Sequence, residues 1–300
     1  MSLLVLLLAA IIWGTAFVAQ AVGMDHLGPF SFNAIRYFIG SISLIPVIAV
    51  VRGIKRKKGE EPVTEEEKKT RTIHSLKSGA LCGVVLAAAS LLQQFGIIYT
   101  SVGKAGFITA LYIIIVPFFS VIIGKKISLK AWLAAIIAII GFYFMCIEGA
   151  DVINIGDILV LGGAVVWAVH ILLIDRFAPK AEVVLMSAVQ FLVSGIICTL
   201  LSLIFETVTL QAVKDCLIPL LYAGVLSCGI AYTLQIAGQK RVEPTLACLV
   251  LSLESVFSAI AGWIVLGQRM AGIEILGCLL AFAGVVVAQL PAGKMKKGDA

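Results

Sequence analysis

Apolar residues fall along this chain in blocks of roughly 18 to 24 positions, the length a helix rising 1.5 Å per residue needs to cross ~30 Å of hydrocarbon. Cutting at charges, glycines and prolines predicts ten spans, near 3–23, 31–51, 76–98, 104–123, 129–147, 155–175, 182–205, 216–237, 244–266 and 271–290. Strands of a membrane barrel would instead leave short alternating segments. The one long connection, 52–75, reads "RGIKRKKGEEPVTEEEKKTRTIHS" and is charge-dense. It reads as a solvated loop with a short helix begun by Thr64. The first block lacks a basic n-region and an A-x-A cleavage pattern, so it reads as a retained helix.

Composition agrees. Hydrophobic residues make up 61% of the chain and charged ones 13%, with a mean hydropathy of +1.09. A water-soluble fold needs far more polar surface than that. The expectation is an all-α integral membrane protein. The seven cysteines show no CxxC pairing and read as small packing residues, with neither a disulfide framework nor a metal site. No cofactor motif is present.

Charge then sets orientation, because Lys and Arg concentrate on the cytoplasmic side. With the N-terminus inside, the inner loops and tail hold the nine basic residues from Arg52 to Lys77, then Lys125, Lys126, Lys130, Arg176, Lys180, Lys240, Arg241, Lys294, Lys296 and Lys297. The outer side holds Lys104, Lys214 and Arg269. Both termini are therefore expected in the cytoplasm, in a cell membrane. The net charge of +6 is this bias and calls for no nucleic-acid partner.

The chain is expected to repeat itself, as 1–150 and 151–300. "WGTAFVAQ" from Trp13 lines up with "WAVHILLI" from Trp167, and "FNAIRYFIGS" from Phe32 with "MSAVQFLVSG" from Met186, setting Arg36 opposite Gln190. "YTSVGKAGFITALY" from Tyr99 runs beside "QKRVEPTLACLVLS" from Gln239, and "GKKISLKAWLAAIIAIIG" from Gly124 beside "GQRMAGIEILGCLLAFAG" from Gly267. Five spans per copy is an odd number, so the second copy enters from the opposite side. Two inverted five-helix repeats are the architecture of secondary transporters, whose site lies at the repeat interface near mid-membrane.

"IIWGTAFVA", "NAIRYFIGSI" and "GKAGFITALYIIIVPFFSVIIGKKIS", with its partner "LSLESVFSAIAGWIVLGQRM", resemble the EamA-type members of the drug/metabolite transporter superfamily over nearly all of 3–290. The resemblance implies a ten-helix carrier of small metabolites such as amino acids. Its cavity would be lined mainly by helices one, three, four, six, eight and nine, with five and ten at the periphery. Relatives often end the fourth and ninth helices in Gly-Glu; here those places read Gly124-Lys125 and Gly267-Gln268, so any role of that acid is absent.

Polar residues inside spans are the candidates for chemistry. Glu254 sits near the middle of the ninth span, where a charged carboxylate costs roughly 2.5–3.5 kcal/mol and must avoid lipid. Either it faces a wet cavity, binding a substrate amine or carrying a proton, or it packs two helices as a hydrogen-bonded acid. Arg36 snorkels to the interface as an anchor, or balances a substrate carboxylate; the first is the plainer reading. Trp13 and Gln20 share a face of the first helix, and Trp167 and His170 share one on the sixth. Facing each other, they would set two indoles about a cavity, with His170 as a second titrating, ion-coupling group. Further polar rows run through Ser90, Gln93 and Gln94, through Thr109 and Tyr112, and through Ser227, Gln235 and Gln239. Pro117 is expected to bend the fourth helix.

These readings converge on a secondary carrier of a small polar or amphipathic metabolite, an amino acid or related compound, exported by alternating access and coupled to a proton or substrate gradient. The binding set is Trp13, Gln20, Gln94, Tyr112, Trp167, His170, Gln235 and Glu254. An intramembrane enzyme is the alternative, but no HExxH or GxSxG occurs and no catalytic residue is assigned; a receptor or scaffold is the third. No P-loop supplies ATP drive.

Overall fold

The computed structural model describes residues 2–57, 64–100, 102–144, 154–267 and 271–289. Cys146, Gln268, Arg269 and the tail lysines Lys294, Lys296 and Lys297 lie outside the described residues. Among the described residues the regular elements are all helical. The first half contributes α1 (Ser2–Met24), α2 (Pro29–Lys57), α3 (Glu65–Tyr99), α4 (Val102–Ala110), α5 (Tyr112–Ile122) and α6 (Leu129–Phe144). The second contributes α7 (Ile155–Phe177), α8 (Val183–Phe205), α9 (Leu210–Asp215) and α10 (Leu217–Leu221). A π-helical segment (Tyr222–Tyr232) follows, then α11 (Thr233–Gln239), α12 (Pro244–Leu251), α13 (Glu254–Leu266) and α14 (Gly272–Gln289).

Eight helical stretches among the described residues are long and apolar enough to cross a membrane. Two shorter apolar helices, Leu129–Gly141 and Ile275–Ala288, stand where the fifth and tenth spans are expected. The surface is inverted relative to a protein in water. Leu203, Ile218, Ile204 and Leu279 are exposed, while Asn33, Gln94, His170 and Gln190 are fully buried. Hydrocarbon accepts the first group at no cost, and the second finds partners only inside.

Three local features depart from the sequence reading. The segment after Thr64 is no separate short helix. Thr64 does cap it, accepting from the Glu67 amide at 3.2 Å, but α3 then runs unbroken to Tyr99. The first eleven residues therefore carry the helix roughly 16 Å past the expected start of the span. The fourth span is interrupted at Leu111, six residues before Pro117, which lies inside α5. Around Leu111 the hydrogen bonds tighten to the i→i+3 pattern, from Leu111 to Ile108 and from Ile114 to Leu111. The ninth span breaks in the same manner at Ser252–Leu253, where the Ser252 hydroxyl also donates to the Leu249 carbonyl at 2.9 Å. Each of these spans ends near a glycine of positive φ, Gly124 at 85° and Gly267 at 65°, a backbone region open to glycine.

Helices pack across the two halves. α2 lies along α8, α6 along α14, and α3 between α7 and α8. α1 is enclosed by α13, the π segment and α11. Small residues let α6 and α14 approach closely: a side chain at Gly141 would strike the Gly277 carbonyl, and one at Gly284 the Ala134 carbonyl. The six described cysteines are all buried.

Candidate functional site

A cavity opens inside the bundle where α1, α2, α3, α7, the π segment and α11 meet the two broken spans. Its position follows from the breaks. α5 begins at Tyr112 and α13 begins at Glu254, and the Tyr112 hydroxyl donates to Glu254 Oε1 at 3.1 Å. The two half-helix starts, one in each half of the chain, thus touch through their first side chains. A carboxylate at a helix N-terminus also sits at the positive end of the peptide dipoles. α1 is pressed against this junction. At Gly14 an added Cβ would lie 2.4 Å from Phe257 Cβ and 2.6 Å from the Glu254 carbonyl oxygen, so only glycine allows the approach.

Six of the eight residues singled out in the sequence border this cavity: Trp13, Gln20, Tyr112, Trp167, Gln235 and Glu254. The other two stand just behind it. Gln94 is fully buried and donates to the Gln20 backbone carbonyl at 3.3 Å; its neighbour Gln93 is the glutamine at the wall. His170 packs edge-on against Trp167 at 5.6 Å and hydrogen-bonds through Nε2 to Gln190 Oε1 at 3.2 Å. Gln239, third of its polar row, borders a different pocket near Lys240.

The wall is a connected set of groups. Trp167 Nε1 donates to Gln93 Oε1 at 2.9 Å, and Gln93 Nε2 donates to Gln20 Oε1 at 3.4 Å. The expected gap between the indoles is bridged by Tyr232, whose ring centroid lies 4.6 Å from that of Trp13 and 6.2 Å from that of Trp167. No pattern along the sequence marks Tyr232. It lies five residues after Ser227, and a π-helix closes its rings at i→i+5, bringing such pairs to one face. A 3.6-residue period separates them.

Arg36 corrects the plainer of its two readings. It does not snorkel to an interface; it is 3% exposed and borders the cavity. Its guanidinium donates to the Tyr37 hydroxyl at 3.2 Å and stacks 4.8 Å from the centroid of that ring. Several polar atoms at the wall are buried without a partner: Trp13 Nε1, Arg36 Nε, Thr109 Oγ1 and Gln235 Oε1. Such groups are costly in hydrocarbon unless something polar meets them.

The cavity measures about 40 Å³, room for a few waters. A metabolite enters only if the walls move. A second pocket of about 580 Å³ lies between the α5–α6 and α11–α12 connections, bordered by Lys125, Lys126, Asp175, Lys240, Arg241 and Glu243. Lys125 and Asp175 form a 2.6 Å ion pair there, joining the first half to the second.

Comparison with known proteins completes the picture. The model of the EamA-like transporter family matches residues 1–147 and 154–289. The chain belongs to the EamA-like transporter family. It is therefore a multi-pass membrane protein of a transporter family. An uncharacterized transporter of Archaeoglobus fulgidus is 26% identical over 286 residues, covering 95% of this chain and 84% of that one. The uncharacterized transporter YoaV of Bacillus subtilis is 25% identical, covering 92% of each. The threonine/homoserine exporter RhtA of Salmonella typhimurium is 29% identical over 150 residues, covering 47% of this chain and 48% of that protein. A solved crystal structure of another protein superposes with a TM-score of 0.72 at 20% identity, covering 96% of both chains, which shows a shared fold.

Proposed function

We propose that this EamA-like chain is a secondary carrier that exports a small polar or amphipathic metabolite, an amino acid or related compound, by alternating access through the central cavity. The observation that carries the reading is the meeting of two interrupted spans at Tyr112 and Glu254, deep in the bundle and beside unpartnered polar groups. Interrupted helices at mid-membrane are how carriers expose backbone and side-chain polarity to a substrate without exposing it to lipid. Glu254 is the group we assign to coupling, as a proton carrier or an amine ligand, with His170 behind Trp167 as a second titrating group.

Ten spans in two inverted repeats, 1–150 and 151–300, supply the rocking halves. Several observations favour this. The family model matches each half separately. Corresponding spans pair with each other, α2 with α8 and α6 with α14. The packing of α3 on α7 is echoed by that of the π segment and α11 on α1. The breaks and the positive-φ glycines recur in matching places. The small central volume beside a larger pocket ringed by Lys125, Lys126, Lys240 and Arg241 fits a site closed from one side and approached from the cytoplasm. RhtA, by its name an exporter of threonine and homoserine, makes amino acids the first compounds to try.

Purified protein in proteoliposomes tests the reading. A carrier shows saturable uptake and counterflow of at least one small metabolite. Turnover of a substrate without flux would mean an enzyme, and neither activity would mean a receptor or scaffold.

A further inference from the structure

Two charged groups border the central cavity, and neither is paired with an opposite charge from the protein among the described residues. Arg36, on α2, is 3% exposed, and Glu254, at the start of α13, is 5% exposed. The Arg36 guanidinium is held from behind by aromatic rings, Tyr37 at 4.8 Å and Phe32 at 5.8 Å, and by the Tyr37 hydroxyl. Its Nε finds no hydrogen-bond acceptor. Removing a guanidinium from water costs several kcal/mol unless an anion or a full set of acceptors replaces the water. Two rings and one phenol fall short of that.

The matched position in the second half shows what an uncharged solution looks like. Gln190, opposite Arg36 in the repeat alignment, is fully buried and bonded to His170. The first half keeps a cation where the second half has a neutral amide, bonded through its oxygen and with its own Nε2 unpartnered. The asymmetry gives the cavity two poles, a cation contributed by one half and an acid by the other.

We propose that Arg36 is the anion anchor of this site, taking the carboxylate of a zwitterionic substrate whose ammonium group turns to Glu254. The planar fork of a guanidinium matches a carboxylate through two parallel N–H donors, which a lysine or an amide does not reproduce. A zwitterion answers both poles at once and brings no net charge into the membrane. A plain amine leaves Arg36 without an anion, and a plain acid leaves Glu254 without a cation. The rings beside Arg36 fix the direction of its fork. This assignment rests on the carrier reading above, and it names the chemical class the site selects.

The test measures ligand-induced thermal stabilisation of the purified full-length protein in nanodiscs. The probes are the twenty proteinogenic α-amino acids, then the α-amide of each one that binds, which keeps the amine and removes the negative charge. In the parent protein at least one amino acid binds, and its amide binds about tenfold or more weakly, the scale of one lost charge-assisted pair. Arg36→Gln brings acid and amide to within about twofold of each other, Arg36→Lys retains part of the preference, and Glu254→Gln leaves the acid-over-amide preference in place. The assignment is overturned if the amide binds the parent as tightly as the acid, if Arg36→Gln still prefers the acid, or if none of the twenty stabilises the protein. Should Arg36→Gln not fold, the parent ratio and Arg36→Lys decide. Flux of amines lacking a carboxylate through the same protein in proteoliposomes would keep the carrier and discard the anchor; absence of any counterflow there would discard both.

Discussion

At the residue scale the cavity depends on a few contacts whose loss has separable effects. The Trp167 indole both lines the wall and orients Gln93 through its N–H. Trp167→Ala removes ring area and the donor together, so half-saturation for substrate is expected to rise about tenfold or more. Trp167→Phe keeps the ring and is expected to lie between the two. Identical half-saturation in parent and alanine variant would take the indole out of the site. Tyr112→Phe deletes the only hydroxyl that donates to Glu254 among the described residues, a bond to an acid worth about 1.5–3 kcal/mol if the acid is ionised. Its transport rate should fall while its fold is kept, read by flux against thermal unfolding. Polar residues in apolar spans were the legible part of the site. Glu254, Gln20 and Gln235 are visible because hydrocarbon makes each one expensive unless it faces inward, and Trp13 and Trp167 because they stand at matched places in the two halves. Arg36 was visible too, but its depth was not. Seven residues from the start of α2, a long side chain reaches either lipid headgroups or the interior, and only the packing of Phe32 and Tyr37 decides.

At the element scale, apolar block length matches eight membrane-length helical stretches and two shorter apolar helices among the described residues, because the thickness of the bilayer is a fixed ruler. It did not reveal how they are built. Neither break carries a proline or glycine: Leu111 lies in "TALYII" and Ser252–Leu253 in "VLSLES". Beside the second break the Ser255 hydroxyl donates across to the Gly106 carbonyl at 2.6 Å, while the Ser252 hydroxyl bonds back to the Leu249 carbonyl within its own span. The π segment hid Tyr232, since the face it presents follows a wider turn than the one assumed. Gly14 is the element-scale position most open to test. An added methyl meets Phe257 Cβ and the Glu254 carbonyl, neither of which is the end of a flexible chain. Gly14→Ala should therefore push α1 from α13, costing about 1–3 kcal/mol of stability and lowering transport with it. A variant as stable and active as the parent would show that the two helices are not in contact at that depth.

At the scale of the whole molecule, the distribution of Lys and Arg makes a prediction independent of the cavity. If the N-terminus is inside, α3 extends past the membrane on the inner side, and Glu66→Cys should react with an impermeant reagent only in inverted vesicles. Lys214→Cys in α9 should react only in right-side-out cells. The opposite pattern would reverse the orientation, and labelling of both from one face would break the span count. The Lys125–Asp175 pair links the halves at the inner pocket, yet at 44% and 23% side-chain exposure it contributes little to stability, within about 1 kcal/mol. Its loss should show in transport kinetics before it shows in unfolding. Halves that rock about α2–α8 and α6–α14 would open the small central space to each side in turn, and that motion would give Glu254 access to both.

Glu254→Gln tests this most directly, assayed in proteoliposomes with and without an imposed proton gradient. The substitution keeps the shape and a group able to accept from Tyr112, while removing the charge and the exchangeable carboxyl proton. The account predicts that gradient-driven accumulation is lost while the protein remains folded. Accumulation equal to that of the parent, with the same dependence on the gradient, would contradict it.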